Sequence, residues 1–102
     1  MENQHRKIRG YRELTQEEIN LMNEVKTKGL ELEALINKVK THISDQRTRV
    51  QGLSAEGKIA EAADEESRLN GAESERWAAL GKTNLQEGLM FLTRSVAQPG
   101  FF

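Results

Sequence analysis

Apolar residues follow a helical repeat over the first half of the chain. From Met22 to Ile43 they are separated alternately by three and four residues, the spacing of a heptad seam along one face of an α-helix. The seam consists of Met22, Val25, Gly29, Leu32, Ile36, Val39 and Ile43. Thr15 and Glu18 precede it at the spacing of a capping box, so we predict one long helix over 15–50.

A second helical stripe lies near the carboxyl end. It consists of Ala78, Leu85, Leu89, Leu92 and Val96. The only proline of the chain, Pro99, follows this stripe and cannot continue a helix. We therefore predict a helix over 75–98 and a short apolar tail over 99–102.

The segment between the two stripes is rich in alanine and acidic residues. From Ala55 to Glu75 its large apolar side chains are Ile59 and Leu69, and we expect it to bury little surface. Gly52 and Ser54 are expected to end or bend the preceding helix. The segment 51–74 is then either a short helix or a mobile connection, and we assign it as a variable connection.

These elements predict an all-α fold, a long antiparallel helical hairpin preceded by a basic arm over 1–14. The chain has 102 residues, of which 36% are hydrophobic and 5% aromatic. A lone hairpin of this size buries too small a fraction of its surface to be stable, and two wide apolar stripes would stay half exposed. We therefore expect a homo-oligomeric helical bundle whose core lies partly between chains.

Composition excludes several classes of function. Without cysteine the chain has no disulfide, thiolate zinc site or catalytic thiol. A net charge of −1 argues against binding DNA or RNA polymers through bulk charge. No apolar run approaches the roughly 20 residues that span a bilayer, and the first residues lack the apolar core of a signal peptide. We expect a soluble intracellular protein.

The residues offer little for catalysis. Neither His5 nor His42 has a histidine or cysteine partner at ligand spacing. The acidic run 64–66 lacks the glycine and the oxygen pattern of a calcium loop, and Gly81-Lys82-Thr83 lacks the upstream glycine of a phosphate loop. We predict that the chain is not an enzyme and needs neither a metal nor a cofactor.

The basic arm has the residue types of a nucleotide-binding segment. Its cations are Arg6, Lys7, Arg9 and Arg12, with Tyr11 among them. A tyrosine ring stacks on a base, and lysine or arginine meets phosphates through charge-assisted hydrogen bonds. The alternative is a disordered basic arm whose Tyr11 packs on the first helix.

Further cations are expected at the same end of the hairpin. Lys26 follows Val25 of the apolar seam, so it either extends its ammonium to solvent or points into an oligomer interface, where it needs an anion. Arg94 lies in the last turns of the second predicted helix. An antiparallel hairpin would return Arg94 to the end that carries Tyr11 and Lys26.

Two strings at the ends of the chain carry a family resemblance. ENQHRKIRGYRELTQEEINLMNEVK and RWAALGKTNLQEGLMFLTRSVAQP, about half the chain, resemble the phage-encoded anti-CBASS sponges. That family shares a helical hairpin domain with the anti-Thoeris sponges. The resemblance implies a hexamer that binds cyclic oligonucleotide second messengers without cleaving them, in the cytoplasm of the infected bacterial host.

The resemblance also implies which residues bind. Cyclic dinucleotides such as 3′,3′-cyclic GMP–AMP would lie between protomers, with Tyr11 stacked on a base and Lys26 on the phosphodiester. Arg94, Gln98 and Pro99 would close the same pocket. Lys28 and Arg76 would line a separate site for cyclic trinucleotides.

Other functions remain open. An anti-Thoeris sponge would bind cyclic ADP-ribose isomers, but this chain lacks the additional strand-forming sequence that those relatives often carry. A purely structural helical phage assembly protein would account for the heptad spacing without any ligand. A phosphodiesterase and a DNA-binding arm are two further alternatives, and the net charge places the DNA-binding arm last.

Overall fold

The computed structural model describes residues 12–100, which are all-α as predicted. They form three helices, α1 (Gln16–Ala55), α2 (Ile59–Ala72) and α3 (Ser74–Ala97). None of these helices is both long enough and apolar enough to cross a membrane.

The start of α1 confirms the predicted capping box. The Glu18 backbone N–H donates to Thr15 Oγ1 at 3.2 Å, and the Thr15 N–H donates to Glu18 Oε1 at 2.8 Å. Each side chain thus satisfies a backbone donor that the first turn would otherwise leave unpaired. Glu17 and Glu18 also place negative charge at the positive end of the helix dipole.

The end of α1 lies five residues beyond the predicted boundary, and Gly52 does not end the helix. The half-buried Leu53 carries the apolar face one turn further, which outweighs the helix-propensity cost of one glycine. The stop is Gly57, whose φ of 82° is the left-handed conformation that glycine adopts most easily. The N–H groups of Gly57 and Lys58 donate to the carbonyls of Ser54 and Leu53, a Schellman motif.

The segment assigned as a variable connection contains α2, so the short helix is the alternative that the structure adopts. It buries more than we expected, because Ala62 and Leu69 are 6% and 1% exposed. Glu73 separates α2 from α3 and takes a left-handed φ of 52°. Its N–H donates to the carbonyls of Leu69 and Asn70, which caps the end of α2.

The helices contribute to two compact units. The terminal unit comprises the described residues up to Glu31 and those from Leu85, and the central unit comprises Leu32–Asn84. In the terminal unit α1 and α3 run antiparallel, since Arg12 contacts Ala97 while Gly29 approaches Leu89. This antiparallel pairing is the predicted helical hairpin.

The central unit holds the buried apolar residues of the described chain. These are Ile43 of α1 with Ala62 and Leu69 of α2. Arg47 joins all three helices at the surface of this unit. Its guanidinium donates to both carboxylate oxygens of Glu75 at 2.8 and 3.1 Å and to Asn70 Oδ1 at 2.8 Å.

The predicted stripes are turned inward only in part. Along α1 the seam residues are half-buried or buried, apart from Val39, which is 43% exposed. On α3 the predicted stripe positions Leu85 and Leu92 are exposed, whereas Gly88 and Thr93 are half-buried. The inner face of α3 therefore uses small and hydroxyl side chains that a search for large apolar residues overlooks.

Candidate functional site

An open groove of about 780 Å³ lies between α1 and α3 in the terminal unit. Its lining from α1 is Met22, Asn23, Val25, Lys26 and Gly29, and its lining from the carboxyl-terminal segment is Leu89, Met90, Thr93, Arg94, Ala97 and Pro99. Most of these side chains are apolar, and the few polar groups converge on the same space. A volume of this size and such a lining are typical of small-molecule sites.

The cationic groups of this groove are Lys26 and Arg94, one from each wall. Lys26 forms no ion pair within residues 12–100. Its ammonium is therefore available to an anion. Thr93 adds a hydroxyl group, although that hydroxyl donates to the Leu89 carbonyl at 2.9 Å.

Gly29 lets the two walls approach closely. A Cβ built on Gly29 would lie 3.3 Å from the Leu89 Cδ1 atom, tighter than an ordinary van der Waals contact. An alanine in this position would require the Leu89 side chain to shift by a few tenths of an ångström. The seam glycine therefore allows the close approach of Leu89 to α1.

Arg12 fastens the start of α1 to the end of α3. Its Nε donates to the Ala97 carbonyl at 3.0 Å and its Nη2 to the Val96 carbonyl at 2.8 Å. The same guanidinium binds both carboxylate oxygens of Glu18, through Nη1 at 3.0 Å and through Nη2. Arg12 thus makes four hydrogen bonds within the chain, although its sequence position had placed it among the cations of the basic arm.

This arrangement stabilises the ionised form of Glu18. The hydrogen bond from Arg12, with further help from Thr15, lowers the pKa of Glu18 to about 2. The pKa of Arg12 is raised by the same bond. The pair therefore stays charged at every pH at which the protein is expected to work.

The residues predicted to bind a cyclic dinucleotide differ in their position relative to the groove. Lys26, Arg94 and Pro99 line the groove together. Gln98 does not line it; its side chain is exposed and its φ is 47°. Tyr11 lies outside the described residues.

The predicted trinucleotide residues lie in different units and already have partners. Lys28, in the terminal unit, pairs with Glu31 at 3.2 Å, and its side chain is 72% exposed. Arg76, in the central unit, pairs with Glu73 at 3.6 Å and lies 4.9 Å from the centre of the Trp77 ring. Both cations are exposed, and neither lines the groove.

Sequence reasoning missed several features of the groove. The engagement of Arg12 with the carbonyls of Val96 and Ala97 depends on the pairing register of α1 and α3, which helical periodicity does not define. Met90 and Thr93 lie off the predicted stripe of α3. A glycine within a seam of larger residues was the one available signal, because such a position marks a close approach of two helices.

Comparison with known proteins decides the family. The model of the Acb2/Tad1 hairpin domain matches residues 4–97, nearly the whole chain. The chain belongs to the Acb2/Tad1 hairpin family. It is also 45% identical to Anti-CBASS protein 2 of Pseudomonas phage JBD67, over 97% of this chain and 97% of that protein.

Membership of the Acb2/Tad1 hairpin family confirms the resemblance drawn from the two terminal strings. The match also extends through the middle of the chain, which the strings did not cover. The name of that relative describes a protein that acts against CBASS defence.

Proposed function

We propose that this protein counters CBASS defence by binding and sequestering cyclic oligonucleotide second messengers without cleaving them. The observation that carries the proposal is the groove of the terminal unit, where Lys26 and Arg94 face one apolar space in a homologue of Anti-CBASS protein 2. The site of action would be the cytoplasm of the infected bacterial host.

The chemistry of the groove fits a cyclic dinucleotide. Such a ligand carries two phosphodiester charges and two base faces. Lys26 would meet a phosphodiester with a charge-assisted hydrogen bond, and the apolar lining would hold a base or ribose. Arg94 and Pro99 would close the pocket with Gln98, and Tyr11 would stack on a base.

A homo-oligomer is part of the proposal, with the hexamer as its expected form. The groove is open to solvent in the single chain, and a second protomer would enclose the ligand. Symmetry would then present matching lysines and rings to the two halves of a cyclic dinucleotide. Enclosure between preorganised chains would also favour the tight binding that sequestration needs.

We propose Lys28 and Arg76 as residues of a separate cyclic trinucleotide site. Their guanidinium and ammonium groups are exposed and their carboxylate partners are exposed too, so exchange for a phosphodiester would cost little. The two residues belong to different units of the chain.

The first test is thermal melting of the protein with and without 3′,3′-cyclic GMP–AMP. A ligand at about 1,000 times its Kd adds about 4 kcal/mol of stability, which is a shift of many degrees. Cyclic trinucleotides and cyclic ADP-ribose isomers form parallel arms. If only the cyclic ADP-ribose isomers shift the melting temperature, the protein is an anti-Thoeris-type sponge; if nothing shifts it, a structural assembly role replaces the proposal.

Variants then locate the dinucleotide site. Lys26→Ala should abolish most of the melting shift, whereas Lys40→Ala, an exposed lysine of α1 outside the groove, should keep it. Tyr11→Ala should lose about 1 to 3 kcal/mol of binding per stacked base, while Tyr11→Phe keeps the ring and should bind normally. Equal effects of Lys26→Ala and Lys40→Ala would remove the groove from the proposal.

Recovery of the ligand separates a sponge from a phosphodiesterase. The protein is incubated with 3′,3′-cyclic GMP–AMP and denatured by heat, and the released nucleotide is resolved by chromatography. We expect the cyclic form in full yield. A linear dinucleotide in the released fraction would contradict sequestration without cleavage.

A further inference from the structure

We propose that Arg12 is a positioning residue for the ligand groove, acting on its α3 wall from outside the groove. This inference rests on the proposed function. Arg12 does not line the groove. It does bind Ala97, which lines it, and Ala97 is followed by Gln98 and Pro99.

The end of a helix needs partners that the helix itself does not provide. The last carbonyls of α3 have no intrahelical donors, and Arg12 supplies two N–H groups, to Val96 and to Ala97. A cation at this end also interacts favourably with the helix dipole. Arg12 therefore caps α3 from a different segment of the chain.

The Arg12 guanidinium is itself held in place by Glu18. Glu18 accepts two of its N–H groups and is fixed by its capping-box bond to Thr15. A planar fork bound to a carboxylate and to two carbonyls has little rotational freedom left. The rigid first turn of α1 is thereby connected to the last turn of α3.

This connection orders the α3 wall before any ligand arrives. Arg94 lies on the turn that Arg12 caps, and the Gln98 N–H donates to the Arg94 carbonyl at 2.8 Å. Without Arg12 the last turn of α3 would fray, and the ligand would have to order Arg94 and Pro99 as it binds. That ordering cost reduces affinity, by about tenfold for each immobilised side chain at the upper end.

The test compares two arginines with similar local chemistry in different units. Arg12→Ala removes the α3 cap, and Arg47→Ala removes an equivalent guanidinium–carboxylate pair from the central unit, which contributes nothing to the groove lining. Their side chains are similarly exposed, at 36% and 32%. Both variants are titrated with 3′,3′-cyclic GMP–AMP by calorimetry, and hydrogen exchange of the amides of 94–98 is measured without ligand.

We expect Arg12→Ala to weaken binding about tenfold and to accelerate exchange at 94–98, while Arg47→Ala changes neither. Arg12→Lys, which keeps the charge near Glu18 but cannot span both carbonyls, should show an intermediate loss; it also serves if Arg12→Ala does not fold. Equal losses in Arg12→Ala and Arg47→Ala would overturn the inference, because they would reflect general stability alone. Unchanged affinity in both Arg12 variants would overturn it too.

The two readouts separate this inference from the function on which it rests. If the unmodified protein does not bind any of the cyclic nucleotides, the proposed function fails and the exchange measurement alone decides about Arg12. Accelerated exchange confined to the Arg12 variants would then still establish the cap on α3. Unchanged hydrogen exchange at 94–98 in the Arg12 variants would refute the role of Arg12 as a cap on α3, whatever the binding measurements show.

Discussion

Single residues limit how closely the two helices that line the groove approach each other, and Gly29 is the clearest case. Gly29→Ala would place a methyl group 3.3 Å from Leu89 Cδ1, so crowding offsets the gain in helix propensity. Gly81→Ala is the matched control, because a Cβ at this helical position of α3 meets nothing within 4 Å. We expect Gly81→Ala to raise the free energy of unfolding by up to about 1 kcal/mol and Gly29→Ala to raise it clearly less or lower it.

Urea denaturation of the two variants checks this prediction. The comparison is internal, since both substitutions gain the same propensity term in a helix interior. An equal rise for Gly29→Ala and Gly81→Ala would show that Leu89 moves aside at no cost. The glycine would then not be needed for the close approach of Leu89 to α1.

At the same scale, sequence reasoning brought some groove residues together and missed others. Lys26 and Arg94 were placed at one end of the hairpin from an antiparallel arrangement alone, and they do line one groove. The engagement of Arg12 with α3 was out of reach, because helical periodicity gives the face of a helix but not its vertical register against a neighbour. The network around Arg47 was missed for the same reason.

At the scale of elements, two carboxylates connect helices and make folding sensitive to acid. Glu18 connects Arg12 to the first turn of α1, and Glu75 connects α3 to Arg47 of α1. Hydrogen bonds from these arginines lower the pKa of both carboxyl groups to about 2. Both groups are therefore ionised in the folded protein well below the pH at which an ordinary glutamate takes up a proton.

The direction in which stability changes with pH follows from the difference between the folded and unfolded pKa values of these two glutamates. The unfolded chain binds protons at these glutamates near pH 4.5, while the folded chain still excludes them, so stability falls as the pH drops from about 4.5 toward 2. Above that window the contribution of both groups is complete. We expect the urea midpoint to be flat between pH 6 and 7 and to decline steadily below pH 4.5.

Substitutions test whether the loss of stability at acid pH comes from the carboxyl groups of Glu18 and Glu75. Glu18→Gln and Glu75→Gln should each lower stability at neutral pH and each make the acid decline shallower. Glu33→Gln, at an exposed position of α1, should leave the profile unchanged. A decline of the same steepness in all three variants would assign acid sensitivity to groups other than these two.

The elements themselves were largely predictable, with instructive exceptions. The capping box located the start of α1 to within a residue, because the signal is local and chemical. The end of α1 was placed too early, since Gly52 resembles a stop while the true stop is the left-handed Gly57. The amount that α2 buries was underestimated because Leu69 and one alanine, Ala62, are buried, although the segment has few large apolar side chains.

At the scale of the whole molecule, the described chain leaves much apolar surface in contact with water. Twelve large apolar residues between 12 and 100 are exposed, and Met90 and Phe91 on α3 are each 68% exposed. Clusters of exposed apolar side chains are typical of interfaces between protomers. The predicted oligomer would cover some of these side chains.

The last prediction concerns that oligomer and its link to ligand binding. Native mass spectrometry of the unmodified protein should show one assembly, with six chains as the expected number. Phe91→Glu should shift the distribution toward smaller species, because a charge at a buried interface position is costly. Glu87→Gln, an exposed polar change on the same helix, is the control and should leave the assembly intact.

If the groove is completed by a second protomer, the affinity of Phe91→Glu for 3′,3′-cyclic GMP–AMP should rise and fall with protein concentration as the assembly forms and dissociates. A monomer that binds the ligand with unchanged affinity would show that a single chain holds the whole site.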